Sequence, residues 1–144
     1  MPLRSVMRSL SVTALTLELA AGAAVGQERQ EAAELTGYAP LPLAHAKALR
    51  SPNADPRVIL RTFYGKHAAL LEEGMTALTE TKWDGDLITS DIALRGYRDD
   101  SLRGENFRIV LRRDGNEWRL TGAGRQSICA RGTHRGKAIA GRCP

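Results

Sequence analysis

Phe107-Arg108-Ile109-Val110-Leu111-Arg112-Arg113-Asp114-Gly115-Asn116-Glu117-Trp118-Arg119-Leu120-Thr121 is the stretch on which the fold turns. Phe107, Ile109 and Leu111 alternate with Arg108, Val110 and Arg112, which is the period of a strand with one apolar face. Asp114-Gly115-Asn116 is turn chemistry, and Glu117-Trp118-Arg119-Leu120-Thr121 resumes as a second strand, so the segment reads as an antiparallel hairpin.

The pattern repeats upstream. Thr76, Leu78, Glu80 and Lys82 alternate with Ala77, Thr79 and Thr81 up to Trp83. Asp84-Gly85-Asp86 supplies the positive φ of a tight turn, and Leu87 to Tyr97 carries Ile88, Ile92 and Leu94 before Asp99-Asp100 turns the chain again. Four consecutive strands on short turns predict an antiparallel meander. Ahead of them, Asp55-Pro56 is a helix start: a capping carboxylate followed by proline where its missing N–H costs nothing. Val58, Ile59, Thr62 and Phe63 share one face, and Gly65 is the expected stop, with His67 to Glu73 open as an extension. The expected fold is therefore α+β, with one or two short helices packed on a four-stranded antiparallel meander and a C-terminal disulfide-closed loop.

At 144 residues the chain accommodates one domain, read as residues 55–144, behind a polar lead and short helix over 27–54. Tyr38-Ala39-Pro40-Leu41-Pro42 is held extended by its prolines, and Leu43 to Leu49 is the candidate short helix. Aromatics make up only 5% of the residues, so Leu, Ile, Val and Ala must build a small core. A core of that size is marginal, and a covalent staple would help it.

Residues 1–26 read as a secretory signal peptide. Arg4 and Arg8 open it, Ser9 to Leu17 is uncharged and mostly apolar, and Ala24-Val25-Gly26 is a small-x-small cleavage site. The apolar run is too short to span a bilayer, so no transmembrane segment is expected in the mature chain. Glu18 interrupts the apolar character, and the competing reading is an amphipathic helix retained on the domain. Export predicts a periplasmic or secreted protein in an oxidising compartment. An even cysteine count there favours one disulfide, Cys129 to Cys143, worth about 3 kcal/mol for a loop of this length. In a reducing cytoplasm the same residues would be free thiols.

Net charge is +5 but unevenly spread. Residues 27–94 hold seven Lys or Arg against ten Asp or Glu; residues 95–144 hold twelve against five, with no acidic residue after Glu117. The basic tail Ser127 to Pro144 suits an anionic envelope surface or an acidic protein partner, with a merely solvated face as the alternative. Nucleic acid is a poor candidate, because the tail has no aromatic on which a base could stack.

Other chemistries have weaker support in the sequence. Cys129, His134 and Cys143 are three candidate metal ligands, but the surrounding cations repel a metal ion, and neither a metal nor a cofactor is expected. Gly132-Thr133-His134-Arg135-Gly136-Lys137-Ala138 fails the phosphate-loop pattern at Arg131 and at Ala138, leaving a glycine-rich cationic loop that presents N–H groups and side chains to an anion. Asp84-Gly85-Asp86 has too few oxygen ligands for calcium. Ser90, Ser101 and Ser127 lack a nucleophile elbow, and His45, His67 and His134 lack any surrounding signature. The candidate anion-binding residues are Arg125, Arg131, Arg135, Lys137 and Arg142. The competing class is a small exported enzyme with His67 or His134 as base in a cleft, and the third is a structural accessory protein with no anionic ligand.

Asp99-Asp100-Ser101-Leu102-Arg103-Gly104-Glu105-Asn106-Phe107-Arg108, Asp114-Gly115-Asn116-Glu117-Trp118-Arg119 and Gly124-Arg125-Gln126 ahead of Cys129 resemble a family of small exported bacterial proteins of uncharacterised function. The resemblance covers Asp55 to Cys143 and implies export, the disulfide and the strand order, and no activity. The tail departs from it: no aromatic lies between the cysteines, and Thr133 separates Arg131-Gly132 from His134.

Overall fold

The structure is a computed structural model that describes residues 26, 33–41, 49 and 51–144. The signal-peptide reading and the helix expected over 43–49 fall outside these, save for Gly26 and Leu49. Four long strands form the predicted meander: β2 (Thr76–Asp84), β3 (Leu87–Arg95), β4 (Leu102–Asp114) and β5 (Glu117–Cys129). Two short strands enlarge it beyond the four expected: β1 (Ala39–Pro40) and β6 (Ala138–Ile139) both pair antiparallel with β5. The sheet order is β1-β5-β4-β3-β2 with β6 also on β5, all neighbours antiparallel.

Both tight hairpins turn on two residues. Gly85 and Gly115 have φ of 56° and 61°, and no residue other than glycine has positive φ among those described. Glycine first and an ordinary residue second is the type II′ arrangement, whose twist suits the flanking strands.

One helix, α1 (Pro56–Ala68), is capped by the Asp55 carboxylate, which accepts from the Arg57 N–H. It runs past Gly65, the expected stop, because His67 is held on its inner face: the ring lies against Phe63 and Phe107 at centroid distances of 4.5 and 4.3 Å. The buried face is Pro56, Ile59, Leu60 and Phe63. Val58 was expected inside and is exposed, because the contact with the sheet is centred one position further along, on Leu60.

One sheet face carries Ile88, Ile92, Leu94, Phe107, Ile109, Leu111, Trp118 and Ala123, and with Ile59, Leu60 and Phe63 of α1 and with Leu49 these form the core. A β-bulge between Val110 and Leu111, with Thr121 as the extra residue, keeps both Leu120 and Ala123 on that face. Tyr64 closes the helix-to-sheet seam: its hydroxyl lies 2.6 Å from Thr81 Oγ1 and 2.6 Å from Ser90 Oγ, which are 2.8 Å apart. Three hydroxyls in a ring satisfy one another, which makes polar burial at the fully buried Ser90 affordable.

The opposite face is polar and is crossed by the segment 33–41. Arg95 donates to Asn106 Oδ1 (2.8 Å), Asn106 to Gln126 Oε1 (3.0 Å) and Gln126 to the Gly37 carbonyl (3.0 Å), a chain across three strands to the N-terminal segment. Gly122 and Gly124 of β5 lie beneath this segment. A Cβ at Gly124 would come 2.6 Å from Tyr38 Cβ, and one at Gly122 would come 2.9 Å from Leu35 Cδ1. These glycines let the crossing segment approach the sheet.

Candidate functional site

Beyond β5 the chain loops from Cys129 to Cys143, which are joined as a disulfide with Cα atoms 5.3 Å apart. Cys129 is completely buried at the end of the sheet, so the staple anchors the loop to the core rather than to another surface loop. With both sulfurs oxidised, neither is a thiolate ligand, and the described residues contain no group of three metal-binding side chains.

The loop is folded on its own backbone. The N–H of Gly136 donates to the Cys129 carbonyl (2.8 Å), that of Arg135 to Gly132 (3.1 Å) and that of Lys137 to His134 (2.9 Å). Gly132 and Gly136 take φ of 74° and 72°, conformations that L side chains rarely adopt. At these three positions the main-chain N–H groups are used within the loop and are not offered to an anion. The side chains of Arg135, Lys137 and Arg142 are exposed on it.

The five predicted cations do not act together. Arg135, Lys137 and Arg142 are exposed on the loop, and none forms an ion pair with a described residue. Arg131 is turned back on the chain end, its Nε donating to the Pro144 carbonyl at 3.1 Å, with Asp100 at 3.9 Å. Arg125 belongs elsewhere: it stands in β5 on the helix-covered face and faces Glu105 at 3.5 Å. Glu105 also accepts from the Tyr97 hydroxyl at 2.7 Å, and burial first, then this bond, pushes the Tyr97 pKa up. Arg125 is thus committed to a carboxylate.

Two cations that sequence reading passed over stand by the loop instead. Arg95, Gly96, Tyr97, Arg103, Ile128 and Gly136 line an open depression of about 570 Å³ beneath it. Arg103 is the extra residue of a bulge between Leu102 and Gly104, and Arg95 sits opposite Gly104 in the register. Strand pairing brings them to the loop. Arg95 is partly engaged, donating to the Leu94 and Glu105 carbonyls at 2.8 and 3.1 Å, and burial lowers its pKa.

The two described histidines stand in different surroundings. His67 Nδ1 lies 2.8 Å from the Phe63 carbonyl, the ring is flanked by two phenylalanines, and burial pulls its pKa down. His134 is exposed in the loop. Neither lines the depression beneath the loop or the open groove of about 490 Å³ between α1 and β2, which Asp55, Arg57, Leu60, Arg61, Tyr64, Thr81 and Trp83 line. His45 lies outside the described residues.

Fold and loop together define a disulfide-stapled antiparallel α+β domain with a cationic end. Comparison of the chain with protein-family models, curated proteins and solved structures gives no match. Among the described residues no helix is long and apolar enough to cross a membrane.

Proposed function

We propose that the protein is an exported, non-enzymatic binding module whose stapled loop contacts an anionic component of the cell envelope. One observation carries this reading: Arg135, Lys137 and Arg142 are exposed and form no ion pair with a described residue, on a loop whose backbone is internally bonded and covalently closed. Isolated cations on a preorganised loop keep their charge available and lose little entropy when a partner is met. The disulfide, the sequence resemblance and the signal-like residues 1–26 support an oxidising compartment. The enzyme reading has less behind it, because neither His67 nor His134 lines the depression beneath the loop or the groove beside α1.

The test is retention of the oxidised protein on phosphatidylglycerol vesicles against neutral phosphatidylcholine vesicles across a salt series. Binding to the anionic vesicles that weakens with salt, and weakens further in an Arg135→Glu, Lys137→Glu variant, is the expected result. Equal retention on both vesicle types, or no effect of the double charge reversal, refutes it.

A further inference from the structure

We propose that two copies of this chain pair through β2, antiparallel about a two-fold axis at Thr81, joining their sheets into one. The two outer strands of the sheet are treated very differently. The free side of β5 is closed at three places: Asn53 exchanges backbone bonds with Trp118 (3.1 and 2.8 Å), β1 pairs at Gly124 and Arg125, and β6 pairs at Ser127 and Ile128. The free side of β2 pairs with no described residue. Yet β2 is nine residues long, contains no proline, keeps unbroken register with β3 from Thr76 to Asp84, and is exposed at every residue except Thr81. A long, regular, uncovered edge is a template for strand addition.

The hairpin fixes which groups of β2 are free. Asp84 and Leu87 flank the two-residue turn and form a hydrogen-bonded pair, so Asp84, Lys82, Glu80, Leu78 and Thr76 direct their backbone groups to β3. Trp83, Thr81, Thr79 and Ala77 direct theirs outward. The other hairpin obeys the same rule: Glu117 is bonded to β4 across its turn, and the next residue, Trp118, turns outward to Asn53. In an antiparallel pair bonded residues face bonded residues, so a second β2 must meet the first with outward residues opposite outward residues.

Charge and the length of strand overlap then select one register. With the two-fold axis at Thr81, Glu80 stands opposite the partner's Lys82, and Lys82 opposite the partner's Glu80. An axis at Glu80 or at Lys82 would set like charges against each other. An axis at Leu78 or Thr79 would leave Lys82 opposite Gly74 or Thr76, with no carboxylate, and an axis at Ala77 or Trp83 would pair only three residues of each strand. Glu80 and Lys82 project from the face away from α1, with side chains 68% and 74% exposed, and lie 3.7 Å apart within one strand. In the pair they become four alternating charges. On the α1 side the half-exposed Trp83, which meets Trp118 edge to face at 6.1 Å, would also face the partner's Thr79. The interface is isologous and closes on itself, which ends growth at two copies.

Sedimentation velocity of the oxidised chain over a rising concentration series tests this. The expected result is a reversible dimer. Thr79→Pro removes an outward N–H without touching the bonds to β3, and it should give a folded monomer. Lys82→Glu should weaken association by about tenfold, since two attractive cross-strand pairs become repulsive, and the Glu80→Lys, Lys82→Glu exchange should restore it. A wild-type chain that stays monomeric at millimolar concentration overturns the proposal. So does a dimer that survives in folded Thr79→Pro, or one that the charge exchange fails to restore. The charge variants leave the backbone unaltered and decide the case even where the proline variant unfolds.

Discussion

Arg108 of β4 and Asp91 of β3 stand directly opposite each other and form a two-point ion pair, Nε to Oδ1 at 2.8 Å and a terminal nitrogen to Oδ2 at 2.9 Å. The guanidinium does more than neutralise the carboxylate. It lies 4.7 Å from the centre of the Tyr38 ring and donates to the Glu34 carbonyl at 2.9 Å, so one side chain fastens the N-terminal segment to the polar face of the sheet. The hydrogen bonds to Asp91 raise the Arg108 pKa, while burial and the nearby Asp91 raise that of Tyr38.

Breaking this pair should therefore loosen a segment far away in sequence. Both side chains are about one-quarter exposed, at 24% and 26%, which puts the pair between a surface bridge and a buried one. Asp91→Asn is expected to cost about 1–3 kcal/mol in urea unfolding. Hydrogen exchange should quicken at the Leu41 amide, which donates to the Ala123 carbonyl where the segment joins the sheet. Unchanged exchange there would mean that the segment is held without Arg108.

Two glycines should respond to the same substitution with opposite signs. Gly124→Ala forces a methyl against Tyr38 and Leu35 and is expected to destabilise by about 1–3 kcal/mol, with faster proteolysis within 33–41. Gly65 lies inside α1 with open space where a Cβ would stand and no positive φ. Gly65→Ala should stabilise by about 0.5–1 kcal/mol. Thermal melts of both variants check the pair.

His67 gives a pH dependence with a definite sign. Its pKa in the folded chain is lowered from 6.5, chiefly by burial, so between the two values the unfolded chain holds the extra proton. The stability it contributes is complete above 6.5 and is lost as pH falls from there through the folded value. Chemical unfolding measured from neutral pH down to the carboxylate range should show this loss. His67→Phe, which keeps a ring between Phe63 and Phe107, should abolish that part of the slope. An unaltered slope would assign it to other groups.

Much of this fold is written locally. Glycine after Asp84 and after Asp114 sets the two tight hairpins, alternation around Ile92 and Ile109 sets the apolar face, and Asp55-Pro56 starts the helix, because each depends on neighbours a few residues apart. The two cysteines could likewise be read as the ends of a staple from their number and setting. Pairing across long stretches of chain decided the rest. Glu34 meets Arg108 and Gly37 meets Gln126 across 74 and 89 positions, and that crossing explains the need for glycine at Gly122 and Gly124. The same register sent Arg125 to Glu105 and away from the loop, while bringing Arg95 and Arg103 beneath it. A run of like charges in sequence says how many cations there are; which of them find carboxylates is settled by strand pairing, and that is why the candidate site differs from the basic tail that announced it.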